Sequence, residues 1–294
     1  MQKIKIFLAG GSGFIGRHIR EQLGGAYDIV APTSTELDLT NAQAVLSFFT
    51  SHPVDVVVNA AAIGVKRDHG LSGVAMTNLT IFFNLIQAKS YFTRMIMLGS
   101  GAEYDKRRSL EKVSESEFGQ FVPVDEYGFY KYVCAQYAWQ VDYITHLRLF
   151  AVFGKYEDFT TRFISNAICK ALLGLPITIK KNVRFDYFYI NDFVRLLDNL
   201  ITDPLPQKIC NVGSGEVTDL YSIAQKILTI TSANVPIQLA EAGMGKEYSP
   251  DLSDLKKNRP NVMVTSLEVA MAELVAYYRS ILPELNRDQF LIDA

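Results

Sequence analysis

Tyr127 and Lys131 stand four residues apart in the segment YGFYK. On a helix that spacing puts a phenol and an ammonium group on one face. A lysine cation beside a tyrosine favours the phenolate and moves the phenol toward the working range of a general acid or base. Taken alone, the pair equally fits two solvated side chains on a helix surface. Ser100 adds to it. It closes the apolar stretch 94–100 (RMIMLGS), is followed by Gly101, and falls where a strand reaches the carboxyl edge of a sheet. Ligands bind at that edge in open α/β folds. A third group, Gly10, Gly13 and Gly16, has the spacing of a turn that lets backbone approach a pyrophosphate on a helix N-terminus. The same glycines also fit a turn that binds nothing.

The elements that must position these residues follow from hydrophobic periodicity. Residues 4–9 read as a buried strand, and Phe14, Ile15, Ile19 and Leu23 recur at helical spacing until Gly24 and Gly25 stop the helix. Strand, glycine turn and helix in that order are the context a dinucleotide site needs. Strands are expected at 28–33, 54–62, 94–100 and 144–153, with helices at 41–52, 73–90 and 125–141. This alternation predicts an α/β fold, a doubly wound parallel sheet of the Rossmann kind with right-handed crossovers. Beyond Gly154 helices are expected at 160–173, 191–202, 219–232 and 266–281, with strands at 176–181, 185–190 and 209–212. The stretch after Pro236 is looser, broken by Gly243, Gly245, Pro250 and Pro260. Residues 1–155 with about 191–213 are therefore assigned to a dinucleotide-binding domain. About 156–190 and 214–294 form a smaller α/β lobe at the C-terminal end.

Bulk composition excludes several classes. The chain has 294 residues, 49% of them hydrophobic and 20% charged, an ordinary globular balance. A net charge of −2 makes no case for nucleic acid or an anionic membrane as partner. Cys134, Cys169 and Cys210 are widely spaced and point to neither a disulfide framework nor a metal site. The first strand begins almost at once, which leaves no room for a signal peptide, and no apolar run is long enough to span a bilayer. The expectation is a cytoplasmic protein.

In sequence order, the segments GGSGFIG, Asp38-Leu39, Asn59-Ala60-Ala61-Ala62, Asn78, LGSGAEY, YGFYK, LRLFAVFG (147–154), DYFYIND (186–192) and NVGSG (211–215) resemble the extended short-chain dehydrogenase/reductases, the nucleotide-sugar epimerase/dehydratase group. The likeness covers roughly residues 3–230. It implies that Tyr127 passes its proton to or from a sugar oxygen. Lys131 would hold the nicotinamide ribose and tune Tyr127, and Ser100 would hydrogen-bond the reacting oxygen. It also implies cofactor contacts from Gly10, Ser12, Gly13, Phe14, Ile15 and Gly16, from Asp38 and Leu39 beside the adenine, and from Ala60, Ala61 and Ala62. Asn78 would support Lys131 through water, although a helix-start role explains it equally. Phe150 and Val152 would approach the nicotinamide, although core packing explains them equally.

Within that family, the 4,6-dehydratases carry an Asp-Glu pair just after the residue matching Ser100, because eliminating water needs an extra acid and base. This chain has Gly101 and Ala102 there. The overall likeness is to reductases of nucleotide-diphospho-4-keto-6-deoxy sugars, the GDP-fucose synthase group. That group moves protons with a cysteine two residues past the serine and a histidine on a later helix. Ala102 takes the first position here, and 160–173 contains no histidine. Simple ketone reduction keeps everything it needs. A nucleotide-sugar 4-epimerase with tightly held NAD uses the same three residues and stays open, as does a non-catalytic NAD(P)-sensing protein.

The second strand ends in Pro32-Thr33-Ser34, with neither the acid that holds the ribose of NAD nor the arginine that holds the phosphate of NADP. Loss of the acid and two hydroxyls at Thr33 and Ser34 tilt the choice to NADP(H), with NAD(H) as the alternative. Arg162 and Asn166 are the candidate contacts to the sugar nucleotide's diphosphate, with Lys180, Arg184, Lys246 and Arg259 behind them. His18, His52 and His146 are scattered and read as packing or surface residues. His69 lies in a loop that could face substrate. A nucleotide-diphospho-sugar is the expected partner, and a homodimer through the helix bearing Tyr127 is the expected assembly.

Overall fold

The computed structural model describes residues 3–63 and 73–291. In its first part strands and helices alternate: β1 (Lys5–Ala9), α1 (Phe14–Leu23), β2 (Asp28–Val30), α2 (Ala42–Ser51), β3 (Val56–Asn59), α3 (Val74–Gln87), β4 (Arg94–Ser100), β5 (Leu110–Val113), α4 (Glu126–Gln140) and β6 (Ile144–Leu149). The chain continues with β7 (Val152–Phe153), α5 (Phe163–Leu172), β8 (Ile177–Asn182), β9 (Arg184–Asp186), β10 (Phe188–Tyr189), α6 (Ile190–Thr202) and β11 (Ile209–Val212). It closes with β12 (Val217–Asp219), α7 (Leu220–Thr231), β13 (Ile237–Met244), β14 (Tyr248–Pro250), α8 (Ser253–Asn258) and α9 (Leu267–Ser280). Helix starts follow local chemistry. The side chains of Asn41, Asp125, Asp219 and Ser266 accept the N–H groups that α2, α4, α7 and α9 leave open.

Six parallel strands form the main sheet in the order β11-β6-β4-β3-β1-β2. The expected doubly wound fold is therefore present. The chain order reverses between β1 and β3, which opens a crevice at the carboxyl end of β1. Alternate residues of each strand feed two cores. Ile6, Leu8, Val58, Ile96, Leu98 and Leu147 pack on the α1, α5, α6, α7 and α9 side. Phe7, Val57, Met95, Met97 and Ile144 pack on the α2, α3 and α4 side.

Three departures from the sequence reading bear on the site. The strand expected at 144–153 breaks at Ala151, whose φ of 34° ends the ladder, and β7 pairs with β10 instead of joining the main sheet. Residues 110–113, inside the stretch assigned to the first domain, form β5 of a second sheet, ordered β12-β9-β14-β5. The looser stretch after Pro236 supplies β13, which pairs with β8, and β14, which lies between β5 and β9. Strands as short as β5, β7, β10 and β14 have little propensity signal of their own and exist through partners far away in sequence. Among the described residues, no helix is long and apolar enough to cross a membrane. No cluster of histidine, cysteine or acidic side chains among them could hold a metal.

Candidate active site

The glycine turn has the geometry a dinucleotide needs. Gly10 adopts φ +79°, and the Gly13 N–H donates to the Gly10 carbonyl at 3.0 Å. A Cβ at position 16 would lie 2.1 Å from that carbonyl oxygen, so only glycine lets α1 start this close to β1. A Cβ at Gly10 would meet Ala61 at 2.8 Å, so the turn also touches the 60–62 loop that leaves β3. No side chain caps α1, and its first turn carries no acid. Ser12 and Gly13 are exposed, and Phe14 and Ile15 are half-buried. Open N–H groups at a helix start form an anion site that fits a dinucleotide pyrophosphate.

Around that turn, several candidates are committed to local structure. Asn78 accepts from the Ile63 N–H at 2.9 Å and donates to the carbonyls of Ile63 and Val74, so it clamps the loop after β3 onto α3. Asp38 accepts from the Thr40 N–H and hydroxyl, which builds the turn before α2, and Leu39 is half-buried beside it. At the end of β2 the expected absence of an acid does not hold in three dimensions. The Glu36 carboxylate folds back and accepts from the Thr33 N–H at 2.7 Å and from its hydroxyl at 2.9 Å. Thr33 and Ser34 are exposed there. The Arg20 Cδ lies 3.4 Å from where a Gly11 Cβ would stand, beside Ala31 just past β2.

Ser100, Tyr127 and Lys131 come to the carboxyl end of β4. Buried Lys131 donates from Nζ to the carbonyl of Leu98, two residues before Ser100. The same Nζ lies 6.0 Å from the centre of the half-buried Tyr127 ring. A Cβ at Gly128 would stand 2.8 Å from the Ala102 carbonyl, so α4 seats against the turn that follows Ser100. Glu126 accepts from the N–H groups of Gly73 and Ala75, which ties the start of α4 to the start of α3.

Beneath Ser100 lies a fully buried polar group that the sequence reading left unassigned. The Glu103 carboxylate accepts from the Ser100 N–H at 2.8 Å, His146 Nε2 at 2.7 Å and Arg148 Nε at 2.6 Å. Burial alone would raise the Glu103 carboxyl, but His146 and Arg148 outweigh it and hold it below the usual range. Burial lowers His146, and Arg148 carries charge that balances the carboxylate. Arg148 also donates to the Tyr104 hydroxyl at 3.0 Å, which donates to Asn211 at 2.8 Å. Gly99 makes room for this: a Cβ there would meet His146 Nε2 at 2.2 Å. A signal existed in ITHLRL, where two basic residues alternate along a strand buried on both faces and so require a buried acid.

Tyr248 of β14 is the second residue missed. A Cβ at Gly101 would lie 2.6 Å from the Tyr248 hydroxyl and 2.5 Å from the Phe150 ring. Phe150 is wholly buried between Tyr104 and Tyr248, with no face left for a cofactor, which corrects that expectation. Val152 is half-buried in β7. Arg162 is exposed at the start of α5 and acts electrostatically on Tyr187 and Tyr248. Asn166 spends its amide N–H groups on the carbonyls of Phe159 and Thr160. His69 lies outside the described residues.

Known proteins align with this arrangement. The GDP-L-fucose synthase of Escherichia coli K12 is 33% identical over 135 residues, which are 43% of this chain and 42% of that enzyme. The chain thus matches less than half the length of that relative. A GDP-mannoheptose C4 reductase of Campylobacter jejuni, solved with NADP bound, superposes at TM-score 0.82 and 19% identity, over 95% of this chain and 99% of its own. A UDP-glucose 4-epimerase of Thermotoga maritima, solved with UDP-glucose, does so at 0.82 and 21%, over 95% and 100%. At such identities these two structures speak for the fold alone. The model of the NAD dependent epimerase/dehydratase family matches residues 6–213. A match that enters in β1 and leaves just past β11 takes in all six strands of the main sheet, and on that ground the chain belongs to the NAD dependent epimerase/dehydratase family, the extended short-chain dehydrogenase/reductases.

Proposed function

We propose that the protein reduces the keto group, at C4, of a nucleotide-diphospho-4-keto-(6-deoxy)sugar, with NADP(H) as cofactor. The observation that carries this reading is the content of the space after Ser100. Phe150 and Tyr248 stand where a side chain at position 101 would go, so the first of the two extra carboxylates a dehydratase needs has no room. What remains is a hydroxyl, a phenol and an ammonium at one strand end beside an open anion site. A dinucleotide held at residues 10–16 would supply a hydride to the ketone carbon. Tyr127 would donate to the ketone oxygen and give up its proton as negative charge gathers there. Lys131, pinned to the Leu98 carbonyl, would favour the resulting phenolate and hold the cofactor's ribose. Ser100 would donate a second hydrogen bond to the same oxygen. In the smaller lobe Arg162 would meet the diphosphate, and Asn166 would offer only its carbonyl oxygen.

The test is to add NADPH or NADH with a panel of GDP-, CDP- and dTDP-4-keto-6-deoxy sugars and follow the nicotinamide absorbance. Net oxidation supports the reading and names the nucleotide. Interconversion of two sugar epimers without net oxidation replaces it by the 4-epimerase reading.

The cofactor preference rests on the corner at β2. Arg20 and the Ser34 hydroxyl favour a phosphate, and Glu36, which takes the Thr33 hydroxyl proton, opposes it. Glu36→Gln is therefore expected to lower the KM for NADPH several-fold and raise that for NADH. A lower KM for NADH in the unmutated protein overturns the preference.

Assembly follows from a second surface. α3 and α4 run side by side, with Phe83 and Tyr137 stacked edge-on at 5.6 Å, yet Met76 is 69% and Phe129 40% exposed. An apolar helix pair left open to water fits a homodimer interface. The double variant Met76→Asp, Phe129→Asp should elute as a monomer where the unmutated protein elutes as a dimer. A unmutated protein that is monomeric in light scattering removes the inference.

A further inference from the structure

Where the chain leaves β7 it passes Gly154 and Lys155 and turns at Tyr156, whose φ of 72° lies in the left-handed region. A tyrosine keeps that conformation only where its surroundings impose it. Here α1 and α9 do so. Buried His18 donates from Nε2 to the Lys155 carbonyl at 2.9 Å. Glu21 accepts from the Tyr156 hydroxyl at 2.7 Å and pairs with Lys155 at 3.0 Å. The Tyr156 ring stands 5.3 Å from His18 and 5.9 Å, edge-on, from Tyr277 of α9. So fixed, the ring carries the Arg17 guanidinium over it at 5.3 Å.

Arg17 also reaches the glycine turn. Helical side chains lean toward the N-terminus of their helix. From the first turn of α1, Arg17 Nε donates to the Ser12 carbonyl at 2.9 Å. Among the described residues no hydrogen bond or ion pair takes its two terminal nitrogens. Four N–H donors therefore remain on a planar fork that matches phosphate oxygens. We propose that Arg17 binds the pyrophosphate of the dinucleotide, and that Tyr156 is the positioning residue that holds it at the turn. The end of α1 contributes only about half an elementary charge, and Arg17 adds a full one. Glu21 does not neutralise it, because that carboxylate is spent on Tyr156 and Lys155. The inference rests on the glycine turn as the dinucleotide site and is indifferent to whether the enzyme is a reductase or an epimerase.

The experiment is a fluorescence titration of NADPH and of NADH without sugar substrate. It compares the unmutated protein with Arg17→Met, Tyr156→Asn, Tyr156→Phe and the double variant Arg17→Met, Tyr156→Asn. Arg17→Met keeps the aliphatic stem and removes the charge at an exposed position. It should raise the Kd of both cofactors about tenfold, the size of one hydrogen bond to a charged group. Added salt should then weaken NADPH binding less than it does in the unmutated protein. Asparagine tolerates the left-handed backbone but has no ring, so Tyr156→Asn should raise both Kd values about fivefold. Tyr156→Phe keeps the ring and should stay within about twofold. In the Arg17→Met background, Tyr156→Asn should cost nothing further. An unchanged Kd in Arg17→Met, or losses that multiply in the double variant, overturns the proposal. A loss confined to NADPH overturns it too, by placing Arg17 on the ribose phosphate. If the unmutated protein binds neither cofactor, the dinucleotide reading of the turn falls, and this inference with it.

Discussion

Turnover in Tyr127→Phe is expected to fall by about 10³-fold, while affinity for the reduced cofactor stays within about twofold. The phenol can hand over a proton and have the resulting charge stabilised by Lys131 four residues on. Lys131 Nζ stands 6.0 Å from its ring and is held by the Leu98 carbonyl, so the ammonium cannot swing in as a substitute acid without breaking a buried bond. Ser100 would still donate to the reacting oxygen and account for the residual rate. The glycine turn is untouched, since a Cβ at position 16 is excluded by Gly10 and not by anything on α4. Steady-state oxidation of NADPH with saturating keto sugar, beside a fluorescence titration of NADPH, separates the two effects. Turnover near the unmutated rate would remove Tyr127 from the mechanism. Loss of cofactor affinity as well would make it a binding residue. An epimerase would show the same collapse, so this result tests the chemistry of the site and not the choice of substrate.

Glu103→Gln is the substitution with the largest expected cost in stability, about 3–5 kcal/mol. Glu103, His146 and Arg148 are each 0% exposed. The carboxylate accepts three donors, one of them a guanidinium whose only ion pair among the described residues is with Glu103, Glu115 acting on it at longer range. An amide keeps the shape but turns one oxygen into a donor, which then faces either the Ser100 N–H and His146 Nε2 together or the Arg148 guanidinium. It also leaves Arg148 charged and unpaired in the interior. The urea midpoint should drop accordingly, and kcat with it, because the Ser100 backbone loses the acceptor that holds it. A midpoint within about 0.5 kcal/mol of the unmutated protein would show that water reaches the cluster.

The pH dependence of stability follows with its sign. Glu103 titrates lower in the folded state than its ordinary 4.5, so its contribution is present above that pH and lost as pH falls below it. His146 is held below its ordinary 6.5, so the unfolded chain takes up a proton first and stability declines as pH falls from 6.5. Glu103→Gln should remove the lower part of that decline.

Whatever depended on neighbours in the chain was legible in the sequence. The glycine turn, the helix after it and the four-residue step from Tyr127 to Lys131 are local, and a period of 3.6 or 2 reports directly which side chains share a face. The alternation of apolar strands with helices carried the parallel sheet for the same reason, as each strand is short, continuous and covered on both sides. The tertiary structure decided what stands against Ser100. Glu103 is three residues away, but its partners come from β6, and Gly99 had to be glycine to let them meet. Tyr248 arrives on a three-residue strand whose only reason to exist is its pairing with β5 and β9. Glu36 turns back onto Thr33 and restores an acid that a linear reading of the strand end lacks. Periodicity records which way a residue faces, whereas the identity of the group across a gap depends on closing long loops, and single-chain spacing carries no trace of that.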